Sequence, residues 1–139
     1  MDIEKIIEGP CRVIDLLPER VPEEGGKRFA RLEKYWLSGA RVTDLRRKQA
    51  DIILKLNCFC PVRLSSDFGR TFTDDPAPYL TEKLILGCVG VKSLYIALVE
   101  QECLITLDGY DIYMTVYGGD AALLELLQRL AAAEGLFLR

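Results

Sequence analysis

The C-terminal third of the chain carries the clearest hydrophobic pattern. Three runs, at 93–99, 103–107 and 110–117, are rich in β-branched and aromatic residues and are separated by short polar breaks. This composition is typical of β-strands. Asp108-Gly109 lies between the second and third runs, and both residues tolerate the positive φ angles of a type I′ hairpin turn. The pattern therefore predicts an antiparallel meander over 93–117.

A helix is predicted directly after the meander. Asp120 is suited to cap its N-terminus, and Gly135 ends it. The apolar stripe of this helix consists of Leu123, Leu127 and Leu130. The apolar segment 136–138 follows at once, and we expect it to pair with a sheet edge or to fill the core.

The N-terminal half alternates short elements with breaks. Isoleucines at helical spacing predict a short helix over 2–8, which Gly9-Pro10 ends. Residues 11–17 are a candidate strand. The segment 18–27 is rich in proline, glutamate and glycine, and we expect a flexible loop there.

Residues 28–37 fit two structures. As a helix they cluster Phe29, Leu32 and Trp36 on one side. As a strand they place aromatic residues on both faces, and aromatic residues favour strands. We therefore expect a strand here, with a helix as the alternative.

The middle of the chain predicts two helices with a long connection between them. Apolar residues recur at helical spacing over 42–57, and Thr43 can cap this helix. The segment 58–76 is interrupted by proline and glycine, and we expect a long connection with a short strand near Val62. Pro78 suits the first turn of a second helix, which reaches Leu86.

Together these elements predict an α+β fold in a single globular domain, 1–139. Its antiparallel sheet, with the meander at 93–117, is expected to be packed on one side by the helices near 42–57 and 120–134. A chain of 139 residues is long enough to bury a substantial core.

The absence of histidine limits the available chemistry. The chain has no histidine, so Ser-His-Asp and Cys-His catalysis are excluded. No pair of carboxylates stands out as catalytic. The segment from Gly87 to Ser93 lacks the glycine that a phosphate-binding loop needs directly before Lys92. We therefore identify no catalytic residue, expect no cofactor, and consider an enzyme the least supported class.

The five cysteines predict a reducing environment. Their number is odd and most lie in apolar runs, as expected for buried thiols. Cys58 and Cys60 can face one ion, but no second closely spaced pair completes a zinc site, so no metal is expected. The N-terminus lacks the pattern of a signal peptide, and no apolar run is long enough to span a bilayer. We expect a cytoplasmic protein without a membrane partner.

Charge is divided unevenly along the chain. Residues 27–55 hold nine basic and three acidic side chains, a net charge of +6, whereas residues 74–139 hold four basic and ten acidic ones, a net charge of −6. The candidate contacts for an anion or a nucleic acid are Arg41, Arg46, Arg47, Lys48 and Lys55. A solvated helix face is the favoured interpretation of these residues, because the protein as a whole is acidic and this helix has no aromatic residue to stack on bases.

The third strand of the meander suggests a protein contact. Tyr113, Thr115 and Tyr117 alternate with apolar residues and therefore share one face of the predicted sheet. Tyrosine is enriched in protein interfaces. A half-covered sheet face explains the same pattern equally well.

These observations favour a non-enzymatic protein-binding module, with a protein or a second copy of the chain as partner. An immunity-like or antagonist protein that neutralises a basic partner is one form of this hypothesis. A homo-oligomeric structural protein is an alternative, in which the two oppositely charged halves orient the copies. A nucleic-acid-binding protein that uses the basic helix over 41–55 is the other alternative.

Overall fold

The computed structural model describes residues 1–139. Its five α-helices are α1 Ile3–Ile7, α2 Gly26–Trp36, α3 Gly39–Leu56, α4 Pro78–Leu86 and α5 Ala121–Ala133. Its seven strands are β1 Cys11–Asp15, β2 Arg63–Ser65, β3 Thr73–Asp74, β4 Ser93–Leu98, β5 Cys103–Asp108, β6 Met114–Gly118 and β7 Phe137–Leu138.

All seven strands form one antiparallel sheet in the order β3-β2-β4-β5-β6-β1-β7. The predicted meander is its centre, β4-β5-β6. Both edge strands have only two residues. Short edges leave few unpaired backbone groups for another sheet to join.

One face of the sheet is covered by three helices, which confirms the predicted α+β fold. Ile14, Ile96 and Ile105 point from three strands into a single apolar core. Residues of α3, α4 and α5 complete this core, among them Ile53 and Leu127, and both are 0 % exposed. Burying an aliphatic side chain of this size contributes about 1.5–3 kcal/mol to folding.

The short helix α1 lies on the opposite face of the sheet. It contacts β5 and β6, and the side chain of Ile6 approaches the Gly118 backbone. Leu104 and Ala97 point to this second face and are nevertheless 0 % exposed. The second face is therefore covered in part, and α1 provides some of that cover.

The prediction of a strand over 28–37 is wrong, because these residues lie in α2. The alternative grouping of Phe29, Leu32 and Trp36 on one helix face is the observed one. A strand needs a neighbour to satisfy its backbone hydrogen bonds, whereas a helix satisfies them internally. A 3-10 turn at Glu23–Gly25 leads into α2, so the irregular segment is shorter than the predicted loop over 18–27.

The predicted hairpin turn at Asp108-Gly109 is also wrong. Gly109 does not adopt a positive φ angle, and β6 begins only at Met114. A Cβ atom on Gly109 would lie 2.4 Å from the carbonyl oxygen of Gly90. The glycine is required here for close backbone packing, so the connection after β5 is wider than a two-residue hairpin.

The helix predicted over 42–57 is α3, but Thr43 does not cap it, because α3 begins four residues earlier at Gly39 and its N-cap residue is Ser38. Other local predictions are confirmed. Asp120 caps α5 by accepting a hydrogen bond of 2.8 Å from the backbone N–H of Leu123. Gly135 follows α5 with a φ angle of 74°. The apolar tail pairs with the sheet edge, where β7 lies beside β1 and Leu136 is buried. The connection over 58–76 contains the expected short strand as β2, together with β3, which was not predicted.

Candidate functional site

Arg46 is not accessible for binding, contrary to its place among the predicted anion contacts. Its side chain is 0 % exposed. Its N–H groups donate hydrogen bonds of 2.9 Å to the carbonyl oxygen of Cys88, 2.9 Å to Oε1 of Gln49 and 2.9 Å to the carbonyl oxygen of Asp111. A fourth, of 3.3 Å, reaches the carbonyl oxygen of Gly109. These contacts give Arg46 a structural function.

Burial changes the electrostatics of this guanidinium. Desolvation lowers the pKa of Arg46, while the nearby Cys88 and Asp111 side chains act to raise it. Arginine nevertheless stays protonated in proteins, so the fold contains a buried positive charge. No carboxylate forms an ion pair with it, and its charge is solvated mainly by backbone carbonyl dipoles.

Two other predicted contacts are engaged with acidic side chains on neighbouring helices. Arg47 lies 3.5 Å from Glu82 of α4, and Lys55 lies 3.0 Å from Glu134 just after α5. Exposed pairs of this kind contribute little to stability, yet they neutralise the local charge. Of the five predicted residues, only Arg41 and Lys48 carry charges that are neither buried nor paired.

A stronger concentration of positive charge lies on α2, outside the predicted helix. Lys27, Arg31 and Lys34 are exposed and follow the spacing i, i+4, i+7, so they form one stripe. At 1.5 Å per residue the stripe is about 10 Å long. Arg28 is also exposed, while Glu33, the acidic residue of α2, is half-buried on the other side.

Aromatic residues join α2 to the first turn of α3. The guanidinium carbon of Arg41 lies 4.9 Å from the ring centroid of Tyr35 and 5.5 Å from that of Trp36. The two rings meet edge to face, with their centroids 6.4 Å apart. Cation–π contacts of this type hold the arginine over the rings and keep its charge at the surface. We call Lys27, Arg28, Arg31, Lys34, Tyr35, Trp36 and Arg41 the α2 surface.

The helix that carries this surface is attached loosely. None of its 11 residues is fully buried, whereas seven residues of α3 are. Its apolar residues Phe29 and Leu32 are half-buried above an open cavity of about 260 Å³, which Leu17 and Val21 also line. The sequence interpretation missed the α2 surface because a strand assignment hides the i, i+4, i+7 spacing.

The tyrosine face keeps its predicted side of the sheet. Thr115 and Tyr117 lie on β6 opposite Val13 and Cys11 of β1, on the face away from the three core helices. Tyr113 precedes the strand. Tyr113, Thr115 and Tyr117 are half-buried. Burial is the largest cause that raises the pKa of both phenols above the ordinary value of 10.0. Their use in a protein contact stays a prediction.

An acidic groove of about 830 Å³ opens between α1, the β4–β5 turn and the start of α5. Its charged lining residues are Asp2, Lys5, Glu100, Glu102 and Asp120. Asp2 and Asp120 each cap a helix, accepting hydrogen bonds of 3.2 Å and 2.8 Å from backbone N–H groups. None of the four carboxylates belongs to an ion pair. We call this cavity and the residues that line it the acidic groove.

The cysteines form no disulfide and no metal cluster. Cys11 and Cys58 are exposed, and Cys60, Cys88 and Cys103 are buried. Burial raises the pKa of Cys103 to about 12 and also raises that of Cys88. No three cysteine or acidic side chains converge as metal ligands. None of the helices combines the length and apolarity needed to cross a bilayer.

Comparison with protein-family models, with curated proteins and with solved structures finds no significant match to this chain.

Proposed function

We propose that this chain is a non-enzymatic protein-binding module and that the α2 surface contacts an acidic protein partner. One observation carries this proposal. Lys27, Arg28, Arg31, Lys34 and Arg41 are all exposed, and none of them takes part in the four ion pairs of the fold. Such a surface attracts a partner of opposite charge.

The kind of side chain on the α2 surface supports a protein partner. Arginine, tyrosine and tryptophan are the residues most enriched at the energetic centres of protein interfaces. Arg41, Tyr35 and Trp36 combine these three types in one contact. The cation–π packing orders the arginine before binding, which reduces the entropy lost when a partner arrives.

The loose attachment of α2 supports the same proposal. Phe29 and Leu32 keep part of their apolar surface in contact with water. A partner that extends from the stripe past Arg28 and Tyr35 can bury part of this surface, and about 25 cal/mol is gained for each Å² removed from water. The helix α2 carries cations on its outer face and half-exposed apolar residues at its side. This arrangement is suited to an acidic amphipathic segment of a partner.

An immunity-like or antagonist protein is a different version of the protein-binding hypothesis. In that form the acidic groove, and not the α2 surface, would face a basic partner. We also infer a cytoplasmic location, which the five unpaired cysteines support.

Nucleic-acid binding is the second candidate, and the packing of Arg41 on Tyr35 favours it. Cations beside exposed aromatic rings are the usual elements of single-strand binding surfaces. The burial of Arg46 and the pairing of Arg47 and Lys55 weaken this candidate on α3. The α2 surface would then be the phosphate contact.

Affinity capture from the native cell extract tests the first proposal. The bait is the wild-type chain, the variant Lys27→Gln/Arg31→Gln/Lys34→Gln, or a control, Lys83→Gln/Lys92→Gln/Arg129→Gln. The control removes the same charge from exposed residues outside α2. We expect a stoichiometric acidic protein to be retained by the wild type and the control and lost with the α2 variant.

An unchanged set of captured proteins in all three cases would overturn the use of α2. Fluorescence anisotropy with a labelled single-stranded oligonucleotide decides on the second candidate. Binding that falls steeply with salt and is lost only in the α2 variant would favour a nucleic acid over a protein.

A further inference from the structure

The α2 surface and the acidic groove lie at opposite ends of the sheet. Strand β5 begins beside the groove and ends at Asp108, and β1 runs parallel to it from Cys11 to Asp15 before the chain continues to α2. Six strand residues span about 20 Å. Leu17, two residues after β1 ends, lines one cavity with Phe29 and Leu32, which places α2 near the end of β1 that is far from the groove.

The two surfaces are complementary in charge. The α2 surface holds five unpaired cations, and the groove holds four unpaired carboxylates with the single lysine Lys5. Glu100 and Glu102 stand on the β4–β5 turn and are exposed. Charges of opposite sign that face each other across an interface speed association and fix its orientation.

Each surface also exposes apolar area beside its charges. The groove is open and about 830 Å³ in volume, and its wall includes Val99, which is 39 % exposed. Tyr35 on the α2 surface is 50 % exposed and offers an apolar ring with a polar tip. Gln101 lines the groove, and its Oε1 is the only buried side-chain oxygen or nitrogen without a hydrogen-bond partner.

We propose that the acidic partner of the α2 surface is the acidic groove of a second copy of this chain, so that copies associate head to tail. This inference rests on the proposed function and names the partner of the same surface. The groove and the helix are different surfaces, so the contact is heterologous, and each copy keeps one free surface after the first contact. Association therefore continues beyond the dimer, into an open chain or a closed ring, and its extent rises with protein concentration and falls with salt.

Sedimentation velocity of the full chain tests this proposal. At low salt, about 20 mM, we expect the average mass of the wild type to rise with concentration, and at about 500 mM salt we expect a monomer. Two neutralising variants remove one side of the contact each. They are Lys27→Gln/Arg31→Gln/Lys34→Gln on α2 and Glu100→Gln/Glu102→Gln in the groove. Asp2 and Asp120 are left in place because they cap helices.

Each variant alone is expected to associate at least about tenfold more weakly than the wild type at low salt. An equimolar mixture of the two is expected to form a 1:1 heterodimer and nothing larger. The α2 variant keeps its groove, the groove variant keeps its helix, and only one complementary contact remains. The control Lys83→Gln/Lys92→Gln/Arg129→Gln should associate like the wild type. Circular dichroism and thermal melts verify that every variant is folded.

A wild type that is monomeric at every concentration at low salt would overturn this inference. So would self-association that persists in both variants, or a mixture that gives no heterodimer. If the wild type is monomeric but the α2 variant loses a captured acidic protein, the proposed function stands and only the identity of the partner is wrong. If the α2 variant changes neither self-association nor capture, both proposals fail.

Discussion

The Nε–H of Arg46 donates a hydrogen bond of 2.9 Å to the carbonyl oxygen of Cys88, 42 residues along the chain. This contact joins the first half of α3 to the segment that follows α4. The same guanidinium reaches the carbonyl oxygens of Gly109 and Asp111 beyond β5. A single buried side chain thus connects three segments that are distant in sequence, and the connection needs the planar fork of an arginine.

Replacing Arg46 is expected to destabilise the fold strongly. Arg46→Met leaves the buried carbonyl oxygen of Cys88 and the part-buried one of Asp111 without these donors, and we expect a loss of about 3–5 kcal/mol in the free energy of unfolding. Arg46→Lys should also destabilise, because an ammonium group cannot reach the same acceptors together. Urea denaturation followed by circular dichroism measures both changes.

The neighbouring Arg47 provides the control for this experiment. It is exposed and pairs with Glu82 at 3.5 Å, so Arg47→Met should change the free energy of unfolding by less than about 1 kcal/mol. Equal effects at the two positions would contradict the structural function assigned to Arg46.

Gly109 is expected to tolerate no side chain. An alanine Cβ would lie 2.4 Å from the carbonyl oxygen of Gly90 and 2.5 Å from the carbonyl carbon of Val89, and both are backbone atoms that cannot turn away. We expect Gly109→Ala to destabilise by about 1–3 kcal/mol. Gly26→Ala is the matched control. No atom lies within 4 Å of its Cβ, and alanine favours a helix by up to about 1 kcal/mol. Thermal melts that move in the same direction for both variants would refute the packing argument.

The parts of the fold that the sequence predicted are those set by local patterns. The meander, the cap at Asp120 and the stop at Gly135 depend on neighbours within a few residues, and the structure has all three. The prediction of a two-residue turn after β5 was wrong because the geometry there depends on the backbone at Gly90, which is far away in the sequence. The prediction of a strand over 28–37 was wrong because the preference of aromatic residues for strands is weak when no neighbouring strand is present.

The candidate site was less predictable than the fold for the same physical reason. The sequence shows the same positive charge at Arg46 and Arg47. Long-range packing buries Arg46 and pairs Arg47 with Glu82, so charge alone does not distinguish the two. A helical assignment of 28–37 would have revealed the stripe of Lys27, Arg31 and Lys34. The contact of Arg41 with Tyr35 follows only from the angle between α2 and α3, and no sequence pattern encodes that angle.

Ionisation of Cys103 is expected to reduce stability at alkaline pH. The ordinary pKa of a cysteine thiol is 9.0, and the pKa of Cys103 in the fold is about 12, because burial is the largest influence on this thiol. Between these values the unfolded chain has lost the proton and the folded chain keeps it. Stability is therefore full below pH 9 and decreases as the pH rises towards 12.

Urea unfolding at about pH 8, 9 and 10 measures this decrease. One such group lowers the free energy of unfolding by at most about 1.4 kcal/mol per pH unit inside the window. Cys103→Ala should remove this contribution to the pH dependence of the free energy of unfolding. The variant should also be less stable at pH 8, because it loses packing. An unchanged slope in the variant would show that Cys103 does not titrate in this way.

The helix α2 is expected to open far more readily than the rest of the fold. None of its residues is fully buried, and the apolar residues that hold it against the fold, such as Phe29 and Leu32, are only half-buried. Helices held by few buried contacts open locally at a small fraction of the global free energy. In hydrogen exchange at about 500 mM salt, where copies are separated, we expect α2 amides to be at least about a hundredfold less protected than those of α3.

Substitutions in α2 should lower the free energy of unfolding less than substitutions in α3. Leu32 is half-buried, and Leu32→Ala is expected to lower the global free energy of unfolding by less than about 1.5 kcal/mol. Ile53 is 0 % exposed in the core, and Ile53→Ala should cost about 2–5 kcal/mol. If association covers α2, lowering the salt should slow exchange in α2 while leaving α3 unchanged. Equal protection of α2 and α3 at high salt would contradict the loose attachment on which the binding proposals depend.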